Sequence, residues 1–276
     1  MSRKLDHIPY IKSYDDIRNM MREDLEYRLE SRNEMTSLGR PLYYRINVQL
    51  VMTRECPYHC PFCIERQNPM EGEQDFDAQL VSLKNVLTEH PDARLTVTGG
   101  EPGLYPEHVY NVEKTYKEYG DNVFMCVNTS GINTFDKCNA HINLSWNDYV
   151  QPDYTKFHGC TLQTVLSDDD MTLANIGKFI SEHKAKDMSY SFRFMTDMDK
   201  KSSYPIDIWN ELEESDDVTN VVFRVGDFFT YTYFNYQGAR VRVTLGDMWQ
   251  QQHNDYGDGY SNIIIHPDGS IGTNWR

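Results

Sequence analysis

Cys56-Pro-Tyr-His-Cys60-Pro-Phe-Cys63 decides how this chain is read. The motif follows a strand-like run, Tyr44 to Met52, and is followed in turn by Leu95-Thr-Val-Thr-Gly-Gly-Glu-Pro102. Thiolates are soft ligands, and cysteines at short spacing hold zinc or iron–sulfur centres. Three thiolates leave one iron of a 4Fe–4S cube without a protein ligand, an open position that a substrate or cofactor can fill. The second stretch is a short β-branched run ending in a glycine pair, the pattern of a buried parallel strand entering a tight turn. Two glycines let a ligand approach the backbone closely, and Glu101 sets a carboxylate at the strand's carboxyl end.

Working outward, strands and helices alternate at βαβ spacing, which predicts an α/β chain with a mainly parallel sheet. Predicted strands are Tyr44–Met52, Arg94–Thr98, Asn122–Asn128, His141–Trp146, Thr161–Leu166 and Ser189–Met195. Predicted helices are Asp75–His90, Pro106–Tyr119, a short piece over Thr134–Ala140, and Thr172–Lys184. The Asp168-Asp-Asp170 run reads as the N-cap and acidic first turn of the last of these. A charged helix over residues 14–32 precedes the first strand, with Ile17, Met20, Met21, Leu25 and Leu29 near helical spacing. After Met195 come a polar loop (Asp197–Ser203), a helix (Pro205–Glu214), a strand (Asn220–Val225) and two hairpins. Thr230–Thr244 turns near Gln237-Gly238, and its aromatic alternation reads as a packed sheet face. Ile263–Gly272 turns at Asp268-Gly269. The implied domains are a helical extension (1–42), a core (43–197) and a C-terminal extension whose hairpins cover the active site (198–276).

The cysteine motif and Gly99-Gly100-Glu101-Pro102, in this order, resemble the radical S-adenosylmethionine (radical SAM) superfamily. That resemblance implies a partial (β/α)6 barrel, one 4Fe–4S cluster on Cys56, Cys60 and Cys63, and S-adenosylmethionine as cofactor. It implies that Phe62 lies by the adenine and that the Gly99–Pro102 segment receives the methionine ammonium. Asn128-Thr-Ser-Gly131 and Ser145-Trp-Asn-Asp148 resemble further cofactor-contacting strand ends, which makes Asn128 and Ser145 cofactor candidates. Ordinary turn chemistry accounts for the same residues. Phe192-Arg-Phe-Met195 resembles a strand of the molybdenum-cofactor cyclisation branch. Arg193, the one charge in that strand, is expected to point inward, either as an anchor for a substrate carboxylate or phosphate or as one side of a salt bridge. The apolar-Pro-Asp-Gly-apolar hairpin resembles one that precedes cluster-binding cysteines in SPASM-like relatives, but no cysteine follows Cys160 here.

Three functions share these motifs. The first is a radical SAM enzyme that takes hydrogen from a small-molecule, nucleotide or peptide substrate, with an electron donor such as flavodoxin or ferredoxin. The second is an activase that places a radical on a partner protein. The third is a zinc module using the three cysteines and His59, although His59 is adjacent to Cys60 and strains tetrahedral closure.

Composition narrows the field. The chain has 276 residues and a formal net charge of −15, so a nucleic-acid polymer is a disfavoured partner. At 39% hydrophobic and 13% aromatic it can build a core. No apolar stretch of membrane-spanning length occurs and the first thirty residues are charged, so a cytoplasmic protein is expected. Cys126, Cys138 and Cys160 are scattered and read as buried thiols.

Overall fold

The computed structural model describes residues 3–5, 13, 15–17, 19–23, 46–64, 72–120, 124–167, 169–194, 207–225, 229–246 and 262–273. The strands are β1 (Arg3–Leu5), β2 (Asn47–Val51), β3 (Arg94–Thr98), β4 (Met125–Thr129), β5 (His141–Ser145) and β6 (Thr161–Leu166), then β7 (Ser189–Phe194), β8 (Thr219–Val225), β9 (Phe229–Tyr236), β10 (Ala239–Gly246), β11 (Asn262–Ile265) and β12 (Ile271–Gly272). The helices are α1 (Phe76–Glu89), α2 (Pro106–Tyr119), α3 (Leu173–Glu182) and α4 (Asp207–Glu214). This is the α/β pattern with a mainly parallel sheet that the alternation predicts. The chain falls into two compact units, Arg45–Thr161 with Tyr256–Arg276, and Met1–Tyr44 with Leu162–Asp255.

In the first of these units the strand order is β5-β4-β3-β2-β11-β12. Neighbours from β5 to β11 run parallel, and only β12 turns back. Val48, Leu50, Leu95, Val97, Val127 and Leu144 are fully buried. They alternate with half-exposed Gln49, Thr96 and Asn128, so one sheet face is apolar and the other polar. Helix α1 buries Leu83, Val86 and Leu87, and α2 buries Val109, Val112 and Tyr116. Asp75 caps α1, its Oδ1 accepting from Ala78 N at 2.9 Å, and Pro106 opens α2 at a position needing no donor.

One buried polar residue ties these layers together. Gln79 Nε2 donates to the carbonyls of Val51 (2.8 Å) and His266 (3.0 Å), which leaves Gln79 Oε1 to accept from His108 Nε2 at 3.1 Å. The end of β2, where the cysteine loop begins, is therefore pinned through α1 to α2. Burial holds His108 down to about 4 from its ordinary 6.5, against the opposing pull of Asp77. A base depressed on folding binds more protons in the unfolded chain between those values, so stability is full above about pH 6.5 and falls as pH drops toward 4. The loss should reach about 3 kcal/mol at pH 4, from roughly 1.4 kcal/mol per pKa unit. Urea melts across this range should show a flatter profile for His108→Gln. Identical slopes would contradict the assignment.

The second unit has the order β1-β8-β9-β10-β7-β6, with β10 parallel to β7 and antiparallel to β9. Tyr190, Phe192, Phe223, Val241 and Val243 are buried on one face. Trp209 of α4 packs there, 6.2 Å from Phe223 between ring centroids, and donates to Thr232 Oγ1 at 3.1 Å. Phe179 of α3 meets Phe192 edge-on at 5.4 Å.

Both expected hairpins form. Gln237 and Gly238 take φ of 51° and 76°, and Gly269 takes 81°. Three expectations are corrected. Residues 134–140 form turns instead of a helix, because Glu113 Oε1 takes the Asn139 N–H at 2.9 Å and Cys138 N bonds the Phe135 carbonyl. Thr172, not the acidic run, caps α3, its Oγ1 accepting from Asn175 N at 3.2 Å, and no acid lies in the first turn. In the β9–β10 hairpin the packed face is Thr230, Thr232 and Phe234, while Tyr231 and Tyr233 stack on the more open side. Of the expected helix at 14–32, residues 15–17 and 19–23 are helical and the remainder lies outside the described residues, as do Met195, the loop 197–203 and Asp168.

Candidate functional site

The two motifs are joined backbone to backbone. Beyond β2 and β3 the paired chains continue as Met52 N to Thr98 O (2.8 Å), Gly100 N to Thr53 O (2.6 Å) and Glu101 N to Glu55 O (2.7 Å). The approach needs glycine. Gly99 sits at φ +106°, and a Cβ on Gly100 would lie 2.2 Å from the Glu55 carbonyl oxygen. Tyr105 Oη adds a 2.6 Å hydrogen bond to Glu55 Oε2. The cysteine loop thus leaves β2 already fastened to the Gly-Gly-Glu turn.

Glu101 is 1% exposed. Its Oε1 accepts from Gly103 N at 2.6 Å and from the Thr129 hydroxyl, and its Oε2 accepts from Ser130 N at 2.6 Å. One carboxylate therefore organises both its own turn, which Pro102 opens, and the exit of β4. An ionised carboxylate has about four lone-pair sites, so three donors leave room for another. Beside it the buried Ser130 Oγ has no hydrogen-bond partner. These groups fit the ammonium and carboxylate of a bound amino-acid moiety.

Cys56, Cys60 and Cys63 are half-buried on one loop, and none of them is in a disulfide. The turn Cys60-Pro-Phe-Cys63 closes with Cys63 N to Cys60 O at 3.2 Å, and half-buried Phe62 lies within it. Burial pushes the Cys56 thiol up, and negative charge at Glu101, Cys63 and Cys60 pushes it further, against a backbone hydrogen bond at Tyr58. All four groups thus share one electrostatic neighbourhood. Among the described residues, no group of three or more His, Cys, Asp or Glu side chains is arranged so that it could hold a metal ion. The donor chemistry itself, three soft sulfur ligands on one short loop, fits an iron–sulfur centre with an open position. His59 is exposed.

The remaining candidates divide. Asn128 is on the polar sheet face, where its Oδ1 accepts from Asn143 Nδ2 at 2.8 Å. Ser145 ends β5, and two residues on, Asn147 Oδ1 approaches Cys60 Sγ at 3.9 Å while accepting from Tyr149 N and Val150 N. Arg193 belongs to the other unit, half-buried in β7 opposite Thr244 of β10. Sequence pattern alone does not mark Thr129, Ser130, Asn147 or the Thr53–Glu55 carbonyls as individual site groups. The first three sit inside the two strand-end segments already singled out, so position after a parallel strand was the available signal. Cys126 and Cys160 are buried thiols as expected, and Cys138, half-buried, is pushed up to about 11 mainly by burial. No helix among the described residues is long and apolar enough to cross a membrane.

No family model matches this chain, and no curated protein does. Its fold is similar to that of Streptococcus suis SuiB in two solved structures. One is SuiB bound to S-adenosylmethionine, at 12% identity and a TM-score of 0.53 over 96% of this chain and 67% of that one. The other is SuiB bound to precursor peptide SuiA, at 13% identity and a TM-score of 0.54 over 91% of this chain and 62% of that one. Identity at this level speaks for the fold.

Proposed function

We propose that this chain is a radical SAM enzyme that holds one 4Fe–4S cluster and S-adenosylmethionine and acts on a peptide. The observation that carries this is the trio of backbone hydrogen bonds joining residues 52–55 to 98–101, which fastens the three-thiol loop to the Gly-Gly-Glu turn. Cys56, Cys60 and Cys63 hold the iron. Glu101 receives the methionine ammonium at its remaining lone pair, in the turn made by Gly99, Gly100 and Pro102. Phe62, Asn128 and Ser145 line the cofactor, and the unpartnered Ser130 hydroxyl contributes a further hydrogen bond. When bound, the cluster supplies the electron that cleaves S-adenosylmethionine to a radical, which takes hydrogen from the substrate. The fold shared with a SuiB structure bound to a precursor peptide favours a peptide among the substrates considered. A flavodoxin- or ferredoxin-like donor supplies electrons, and a reducing cytoplasm keeps the thiols reduced.

Reduced, iron-loaded protein incubated anaerobically with S-adenosylmethionine should release 5′-deoxyadenosine, with label transferred into it from deuterated candidate peptides. Intact S-adenosylmethionine after such incubation would contradict the proposal.

A further inference from the structure

In a chain of net charge −15, strands β6 to β10 contain no Asp or Glu but include Arg193, Arg224, Arg240 and Arg242. Strand register puts all four arginines on one face. Arg193 pairs with Thr244, Thr244 with Tyr231, and Tyr231 with Arg224, forming one cross-strand row. Ser191, Arg242 and Tyr233 form the next row, and Ser189, Arg240 and Asn235 the third. This is the face opposite the one covered by Trp209 and Phe179.

The face is charged; Ser191 and Thr244 are buried in it, and its arginine and tyrosine side chains carry the exposure. Arg240 is exposed, Arg242 and Arg224 are half-exposed, and Tyr233 is 36% exposed. Among the described residues no carboxylate pairs with Arg224, Arg240 or Arg242. Arg242 instead spends Nε and Nη2 on the Ser191 hydroxyl, at 3.1 and 2.9 Å, which holds its guanidinium in place while leaving other donors available. Arg224 lies 5.5 Å from the Tyr233 ring centroid, and its buried Nε has no hydrogen-bond partner. Tyr231 and Tyr233 stack at 6.4 Å, giving a rigid aromatic floor between the cations.

We propose that this sheet face binds an extended peptide segment rich in Asp and Glu. Guanidinium forks bind carboxylates in two parallel hydrogen bonds. Arg240 and Arg242 are two residues apart on one strand, about 7 Å, the repeat at which alternate side chains of an extended peptide fall on one side. The acidic remainder of the chain repels such a segment elsewhere, so electrostatics directs it to this face. The proposal deepens the peptide reading above and rests on it for the substrate role, whereas the binding step requires neither iron nor S-adenosylmethionine.

Fluorescence anisotropy on the full chain, free of iron and cofactor, tests it with three labelled probes: a Glu-rich peptide, its Gln counterpart and a single-stranded oligonucleotide. The Glu-rich peptide should bind best and weaken with added salt. Arg240→Gln/Arg242→Gln should reduce its affinity roughly tenfold or more, with thermal melting confirming a folded chain. Arg240→Glu/Arg242→Glu should lose the Glu-rich peptide and gain a Lys-rich one. Equal binding of the Glu and Gln peptides, tighter binding of the oligonucleotide, or unchanged affinity in the arginine variants would overturn it. Failure of cofactor cleavage would bear on the radical reading and leave these outcomes unaffected.

Discussion

Glu101→Gln should destabilise the chain by about 2–4 kcal/mol, because a buried donor left facing another donor costs roughly 1–3 kcal/mol and charge assistance is lost at the rest. The carboxylate takes two donors on Oε1, from Gly103 and Thr129, and one on Oε2, from Ser130. Gln has one acceptor oxygen. Turned to serve Gly103 and Thr129, it points its amide N–H at the Ser130 N–H, and turned the other way it opposes the Gly103 N–H. In urea the midpoint should fall with little change in slope, since the surface exposed on unfolding is the same. An unchanged midpoint would contradict the role of Glu101 as a clamp. In calorimetric titration the same variant should bind S-adenosylmethionine one to two decades more weakly, as roughly 1.4–2.8 kcal/mol corresponds to that ratio. Its iron loading should match the parent chain, because no thiol is altered.

Much of this architecture was legible in the sequence, and the exceptions have physical reasons. Period-two and helical patterns located β2 to β7 and α1 to α3, and Asp-Gly and Gln-Gly marked both hairpin turns. Periodicity reports that a segment is a strand but not which strand it joins. The parallel pairing of β11 with β2 and of β10 with β7 therefore could not be read from it. Thr134–Ala140 has helical length, but the choice rested on Glu113, more than twenty residues away, capturing the Asn139 N–H. The tyrosines of β9 alternate as a packed face would, yet Thr232 between them is the residue buried against Trp209. At the site, the motifs gave the residue set but not the wiring. Glu101 at a strand end reads as a free carboxylate until Thr129 and Ser130 are brought to it by the β3–β4 register. Gln79 carries no motif at all, yet it fixes the start of the cysteine loop.

The central claim is that Cys56, Cys60 and Cys63 hold a 4Fe–4S cluster. Replacing all three by Ala should remove the brown chromophore and abolish cofactor cleavage entirely. The loop should remain docked, because its attachment to residues 98–101 runs through backbone groups that alanine retains. Single replacements of Cys126, Cys138 or Cys160 should leave the cluster in place, since each lies on a separate segment. The most direct measurement is the iron, acid-labile sulfide and zinc content of the anaerobically reconstituted chain beside its triple-alanine variant. About four irons and four sulfides per chain, lost together in the variant, is the expected result. One tightly bound zinc without sulfide, or a full complement of iron and sulfide persisting in the variant, would contradict it.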